Sequence, residues 1–65
     1  MNRVWNNIAQ ILPEKHKSVF ATVVYQKHGD NDCYVTDAYY DGRNWFLSSD
    51  NSRINGNVVS WSEKY

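Results

Sequence analysis

The chain of 65 residues has one cysteine, one proline and three glycines, and its seven basic residues balance seven acidic ones. A lone Cys33 excludes an intramolecular disulfide and is typical of a reducing compartment. The zero net charge argues against binding to polyanions through a basic surface. No apolar run approaches the ~20 residues of a membrane-spanning helix, and the first residues lack the apolar region of a signal peptide. These absences predict a soluble, cytoplasmic protein that does not bind membranes.

Aromatic side chains, by contrast, are abundant: the chain has three Trp, five Tyr and two Phe. A domain this short buries only roughly 60% of the surface that its unfolded chain exposes, so its stability margin is thin. Each covered aromatic side chain buries ~150–250 Å². We therefore expect one small domain, spanning residues 1–65, that is stabilised by dense aromatic packing.

The N-terminal segment predicts a short helix at about residues 2–12. Asn2 is a suitable N-cap, and Pro13 disfavours helical geometry at the residue before it. The apolar residues of the segment lie on one stripe of a 3.6-residue period: Val4, Trp5, Ile8, Ile11 and Leu12. A helix of about three turns is not stable alone, so we expect it to pack on an apolar surface.

The rest of the chain predicts strands. Segments rich in β-branched and aromatic residues occur at about residues 19–26, 33–40, 45–48 and 58–62. Polar loops separate them, and Asp41-Gly42 is a strong hairpin signal. The predicted fold class is therefore α+β, with the short N-terminal helix packed on a four-stranded antiparallel β meander.

The alternation of strand side chains then predicts a binding face. If the loop at Asp41-Gly42 has two or four residues, Tyr39 and Phe46 share a face. One helix covers only one face of such a sheet, so aromatic side chains on the other face should stay accessible. We predict that this uncovered face binds a partner through Val35, Asp37, Tyr39, Arg43 and Phe46.

No group of residues predicts catalysis or metal binding. His16 and His28 lie in charged connectors, and neither has a candidate nucleophile with an orienting third group beside it. Asp30-Asn31-Asp32 resembles the start of a calcium loop, but the central glycine and the closing glutamate are missing. The isolated glycines do not form a phosphate-binding loop. We expect no enzymatic activity, no metal and no cofactor.

The aromatic residues and turn residues also form a recognisable pattern: Trp5 with Leu12-Pro13, then Ala38-Tyr39-Tyr40-Asp41-Gly42 with Trp45, then Val58 and Trp61. This pattern resembles a family of short bacteriophage and prophage proteins, the domain of unknown function five hundred fifty-one. The similarity runs from Trp5 to Trp61, which is nearly the whole chain. The resemblance implies a phage or prophage accessory protein without a known enzymatic activity.

Three functional hypotheses follow. The first is a non-catalytic accessory protein that binds a host protein or complex in the cytoplasm of the host bacterium, inhibiting an antiviral defence complex. The second is a single-stranded nucleic-acid-binding module that stacks bases on the same aromatic face. It ranks lower because no basic groove is evident. The third is a structural protein that self-assembles into homo-oligomers.

Overall fold

A computed structural model describes residues 3–64, which form one antiparallel sheet of five strands. The strands are β1 (Asn6–Asn7), β2 (Val19–Lys27), β3 (Asp30–Tyr40), β4 (Trp45–Leu47) and β5 (Asn57–Ser62). Their order in the sheet is β1-β5-β2-β3-β4. The central strand β2 therefore lies between the third strand and the last strand of the chain.

The predicted α+β fold with its N-terminal helix is wrong, because residues 3–64 contain no helix and are all-β. Residues 6–7 of the segment instead form β1 and pair with β5. A turn follows, in which Oδ1 of Asn7 accepts a hydrogen bond of 2.8 Å from the backbone N–H of Ala9. Such asparagine bonds compete with helical hydrogen bonds, and a three-turn helix has little stability to resist them. The predicted N-cap, Asn2, lies outside the described residues.

The predicted meander is also wrong, although the four longer strands lie close to their predicted positions. β5 does not pair with β4, because the chain after β4 folds back along the outer edge of that strand. The backbone N–H of Leu47 donates to the Ser52 carbonyl at 2.8 Å, and the N–H of Ile54 donates to the Trp45 carbonyl at 3.0 Å. With that edge occupied, β5 crosses the sheet and pairs with β2.

One face of the sheet carries the core. Its central side chains are completely buried: Val19, Ala21, Val23 and Ala38. Two irregular segments cover this core face where the helix had been expected. Residues 8–13 contribute Ile8, and residues 48–56 contribute Ile54. A hydrogen bond of 2.9 Å from Nε1 of Trp61 to the Ile11 carbonyl attaches the first segment to β5.

The opposite face is much less covered, and we call it the open face. The strand register places the following side chains there: Phe20, Thr22, Val24, Cys33, Val35, Asp37, Tyr39 and Phe46. The open-face residues of the central strand are only half-buried, whereas their core-face neighbours are buried. Residues 3–64 form no helix with the length and apolar character that a membrane span needs.

Candidate binding face

The connection between β3 and β4 fixes which side chains share the open face. β3 ends at Tyr40 and β4 begins at Trp45, so the loop consists of residues 41–44. Oδ1 of Asp41 accepts hydrogen bonds from the backbone N–H groups of Asn44 at 2.7 Å and Arg43 at 2.8 Å. Gly42 in this loop has a φ of 102°, which glycine adopts at little cost. This four-residue loop meets the condition under which Tyr39 and Phe46 share a face, and the two residues are direct partners.

These hydrogen bonds predict a pH dependence of stability. The N–H groups of Asn44 and Arg43 hold the pKa of Asp41 below its ordinary value of 3.8. A carboxylate with a lowered folded-state pKa stabilises the protein above the unfolded pKa and loses this contribution as the pH falls through the folded pKa. Asp41→Asn keeps an acceptor oxygen but cannot ionise, so it should be less stable than wild type at neutral pH. Urea denaturation should show that this difference shrinks as the pH falls below 3.8 and through the lowered folded-state pKa of Asp41; a difference independent of pH would contradict the assignment.

Tyr39 and Phe46 form a stacked pair at one end of the open face. Their ring centroids are 5.5 Å apart and their planes are inclined by 23°. The Tyr39 hydroxyl donates a hydrogen bond of 3.0 Å to Oδ1 of Asn51, and the His16 ring lies 6.2 Å from the Tyr39 ring. Both aromatic residues are half-buried. These contacts hold the rings in one orientation while leaving part of each accessible.

Charged side chains lie beside this pair on the open face, around Phe20 of the neighbouring strand β2. The guanidinium carbon of Arg3 lies 4.6 Å from the centroid of the Phe20 ring, and Nζ of Lys64 lies 5.8 Å from it. Nζ of Lys64 also forms an ion pair of 3.3 Å with Asp37, the residue directly opposite Phe20 in β3. The only acidic residue of the predicted binding set is therefore paired with a lysine, and its side chain is half exposed.

Of the five predicted binding residues, four lie together and one does not. Val35, Asp37, Tyr39 and Phe46 share the open face, and Val35 is 55% exposed. Arg43 instead lines a cleft of about 320 Å³ beside side chains of the core face, including Tyr40 and Trp45. Alternation places strand residues on a face but gives no direction for a loop side chain, which is why the position of Arg43 was not predictable.

Sequence reasoning missed Phe20, Arg3 and Lys64 as parts of this face. Phe20 lies in the segment Val19 to Val24, in which apolar residues occupy both alternating sets of positions, so the alternation between faces gives little contrast. Arg3 and Lys64 reach Phe20 only because β5 lies next to β2, which the predicted meander did not include. A correct β2–β3 register pairs Phe20 with Asp37, and this pairing would have placed Phe20 on the open face.

The histidines and the cysteine of the described residues lie at three different places in the fold. Residues 3–64 contain no group of three or more His, Cys, Asp or Glu side chains that could hold a metal ion. His16 lies against Tyr39, whereas His28 lies in the turn between β2 and β3. The thiol of Cys33 is exposed on the open face opposite Val24. The open face is an accessible surface of apolar and aromatic side chains with an ion pair beside them.

Comparisons of the chain with protein-family models, with curated proteins and with solved structures each find no match.

Proposed function

We propose that the protein is a non-catalytic accessory protein of a phage or prophage that docks its open face on a host protein. The observation that carries this proposal is the stacked pair of Tyr39 and Phe46 on a sheet face that the chain leaves largely uncovered. Accessible apolar patches on small domains mark interaction sites more often than scattered exposed residues do. The phage origin rests on the sequence resemblance, and the cytoplasm of the host bacterium is the proposed location.

The composition of the face suits a protein partner. Tyr, Trp and Phe are enriched at protein interfaces because they combine a large contact area with few rotatable bonds. Tyr39 is already held by Phe46 and Asn51, so little conformational entropy remains to be lost when a partner covers it. Val35, which is exposed, adds an apolar position to the same face on the far side of Asp37. The proposed partner is a folded host protein with a complementary apolar surface, for which an antiviral defence complex is the leading candidate.

Single-stranded nucleic acid is the second candidate, and the cationic groups beside the Phe20 ring favour it. Bases stack on aromatic rings, and arginine adds cation–π contacts. However, Lys64 pairs with Asp37, and Lys17 pairs with Glu63 at 2.7 Å. These carboxylates offset much of the positive charge that would attract phosphates, so we favour the protein partner. Binding to a labelled oligonucleotide that weakens steeply with added salt would reverse this preference.

The proposal predicts that Tyr39→Ala with Phe46→Ala abolishes partner capture. Wild type and the double variant are used as bait in lysate from phage-infected host cells, and the captured partner is then titrated as a purified protein. Hot-spot residues cost ~2 kcal/mol or more each, so loss of both aromatic residues should weaken the affinity by roughly 1,000-fold, and loss of either one by roughly 30-fold. Far-UV circular dichroism must show that both baits are folded.

A matched control removes another aromatic pair. Tyr25 and Tyr34 are also 5.5 Å apart, and the register places them on the other side of the sheet from the open face. Tyr25→Ala with Tyr34→Ala should leave capture and affinity unchanged. If the Tyr39 and Phe46 variant is folded and binds the same partner as tightly as wild type, the open face is not the docking surface.

A further inference from the structure

The outer edge of β3 is free over most of its length. β4 pairs only with residues 38–40 of β3, and the N–H of Ser48 donates to the Asp37 carbonyl at 3.1 Å. Within the described part of the chain, residues 30–36 therefore have no strand beside them on that side. Residues 30–35 are exposed and Thr36 is half-buried. A row of unpaired backbone groups at a sheet edge is a template for another strand.

The direction of the backbone groups along this edge follows from the ladder. In a strand of an antiparallel sheet, the N–H and C=O groups of one residue both point to the strand on one side, and those of the next residue both point to the strand on the other side. The Asp37 carbonyl faces the β4 side, so the backbone groups of Asn31, Cys33 and Val35 face the same side. Of their three N–H groups, that of Cys33 donates locally to Oδ1 of Asp32 at 2.8 Å. The edge thus presents three outward-facing residues at regular spacing, and pairing with another strand would exchange this exposed local bond of Cys33 for a ladder bond.

We propose that this edge pairs with the same edge of a second copy of the chain, forming a two-fold antiparallel dimer with a continuous sheet. The free segment runs from residue 30 to residue 36, and its midpoint is Cys33. A two-fold axis at the midpoint uses the whole free edge. It sets Cys33 opposite Cys33 of the second copy, and the outward-facing Asn31 opposite Val35.

The charges of the segment fit this register. Residues 30–36 include two aspartates, which would repel if they faced each other across the junction. In the proposed register Asp30 lies opposite Thr36 of the second copy, and Asp32 lies opposite Tyr34. No aspartate faces another aspartate. The segment is therefore self-complementary, which is the condition that an interface between identical surfaces has to meet.

The strength of this dimer should be low. Edge pairing joins seven residues of each copy without merging the two cores, so the interface belongs to the small, transient class. The aspartates near the junction weaken it further, as charged residues at sheet edges commonly do. We expect a monomer at micromolar concentration and a dimer towards millimolar concentration. In the dimer the two open faces lie on the same side of the sheet, because directly opposed residues of a ladder share a face.

Sedimentation equilibrium under reducing conditions tests the association. Wild type should approach the dimer mass at the highest concentrations, and Val35→Pro should remain a monomer. The N–H of Val35 faces away from β2, so proline at this position leaves the hydrogen bonds between β2 and β3 intact. Proline is tolerated at such edge positions. A wild-type chain that stays monomeric at millimolar concentration overturns the proposal, as does a folded Val35→Pro variant that associates equally well.

Disulfide trapping tests the register and does not depend on the proline variant. Directly opposed residues of a hydrogen-bonded pair have Cα atoms about 5.5 Å apart, which suits a disulfide. Wild type should therefore cross-link through Cys33 under mild oxidation. The variant C33S/V35C should not cross-link with itself, because the two thiols introduced at position 35 are offset along the junction. When it is mixed with C33S/N31C, the two variants should cross-link, because residue 35 of one copy lies opposite residue 31 of the other. Equal cross-linking of all combinations would indicate random collision and overturn the register. The test involves no host protein, so its outcome is separate from that of the proposed function.

Discussion

Replacing Trp61 with alanine is expected to lower the free energy of unfolding by about 3–5 kcal/mol, the usual cost of truncating a buried large aromatic residue. Trp61 is only 6% exposed and lies opposite Ala21 of the central strand. Its indole also donates a hydrogen bond to the Ile11 carbonyl. A chain of this length has a total stability of roughly 3–10 kcal/mol. The variant should therefore lose at least about a third of this stability, which urea denaturation shows as a marked fall of the unfolding midpoint.

Trp61→Phe separates packing from hydrogen bonding. Phenylalanine keeps most of the buried apolar surface but leaves the Ile11 carbonyl without its donor, which should cost about 1 kcal/mol plus a smaller packing loss. Urea denaturation followed by far-UV circular dichroism measures both variants without relying on tryptophan fluorescence. A Trp61→Phe variant as stable as wild type would show that the indole hydrogen bond does not hold residues 8–13 on the core face.

Gly56→Ala is expected to destabilise the protein by about 2–4 kcal/mol, through backbone strain and overpacking together. Gly56 has a φ of 149°, a conformation that other residues rarely adopt. A Cβ atom at this position would lie 2.9 Å from Cγ1 of Val23 and 3.0 Å from the Val24 carbonyl oxygen. Val23 is completely buried in the central strand and cannot move away easily. The loop before β5 would have to lift from the core face.

Gly29→Ala is the matched control for the steric part. Gly29 has a φ of 84°, but a Cβ atom there has no heavy atom within 4 Å. Only the left-handed backbone conformation is penalised, which should cost about 1–2 kcal/mol. Thermal and urea denaturation of the two variants should therefore rank Gly56→Ala well below Gly29→Ala. Equal stabilities would mean that the close approach of Gly56 to Val23 contributes nothing.

The strands were predictable because their signals are local. β-branched and aromatic runs located β2, β3, β4 and β5, and turn residues located the loops between them. The hairpin between β3 and β4 was the most informative segment. Its loop length and side-chain alternation together placed Tyr39, Phe46, Val35 and Asp37 on one face, as the register has them.

The helix and the strand order were not predictable, because both depend on contacts between distant residues. A stripe of Ile8, Ile11 and neighbouring apolar residues fits a helix, but an irregular segment lying on a sheet presents the same residues. What decides between them is pairing of Asn6 and Asn7 with β5, about fifty residues further along the chain. Likewise, nothing in β4 itself indicates that residues 52–54 occupy its outer edge.

The position of β5 has a consequence for biosynthesis. β2 needs β5 on one side and β3 on the other, and β5 is the last strand to leave the ribosome. Until then the nascent hairpin of β2 and β3 has an unprotected apolar side, and non-local pairings of this kind close slowly. A nascent chain stalled before residue 57 therefore cannot complete this sheet and is an aggregation-prone species.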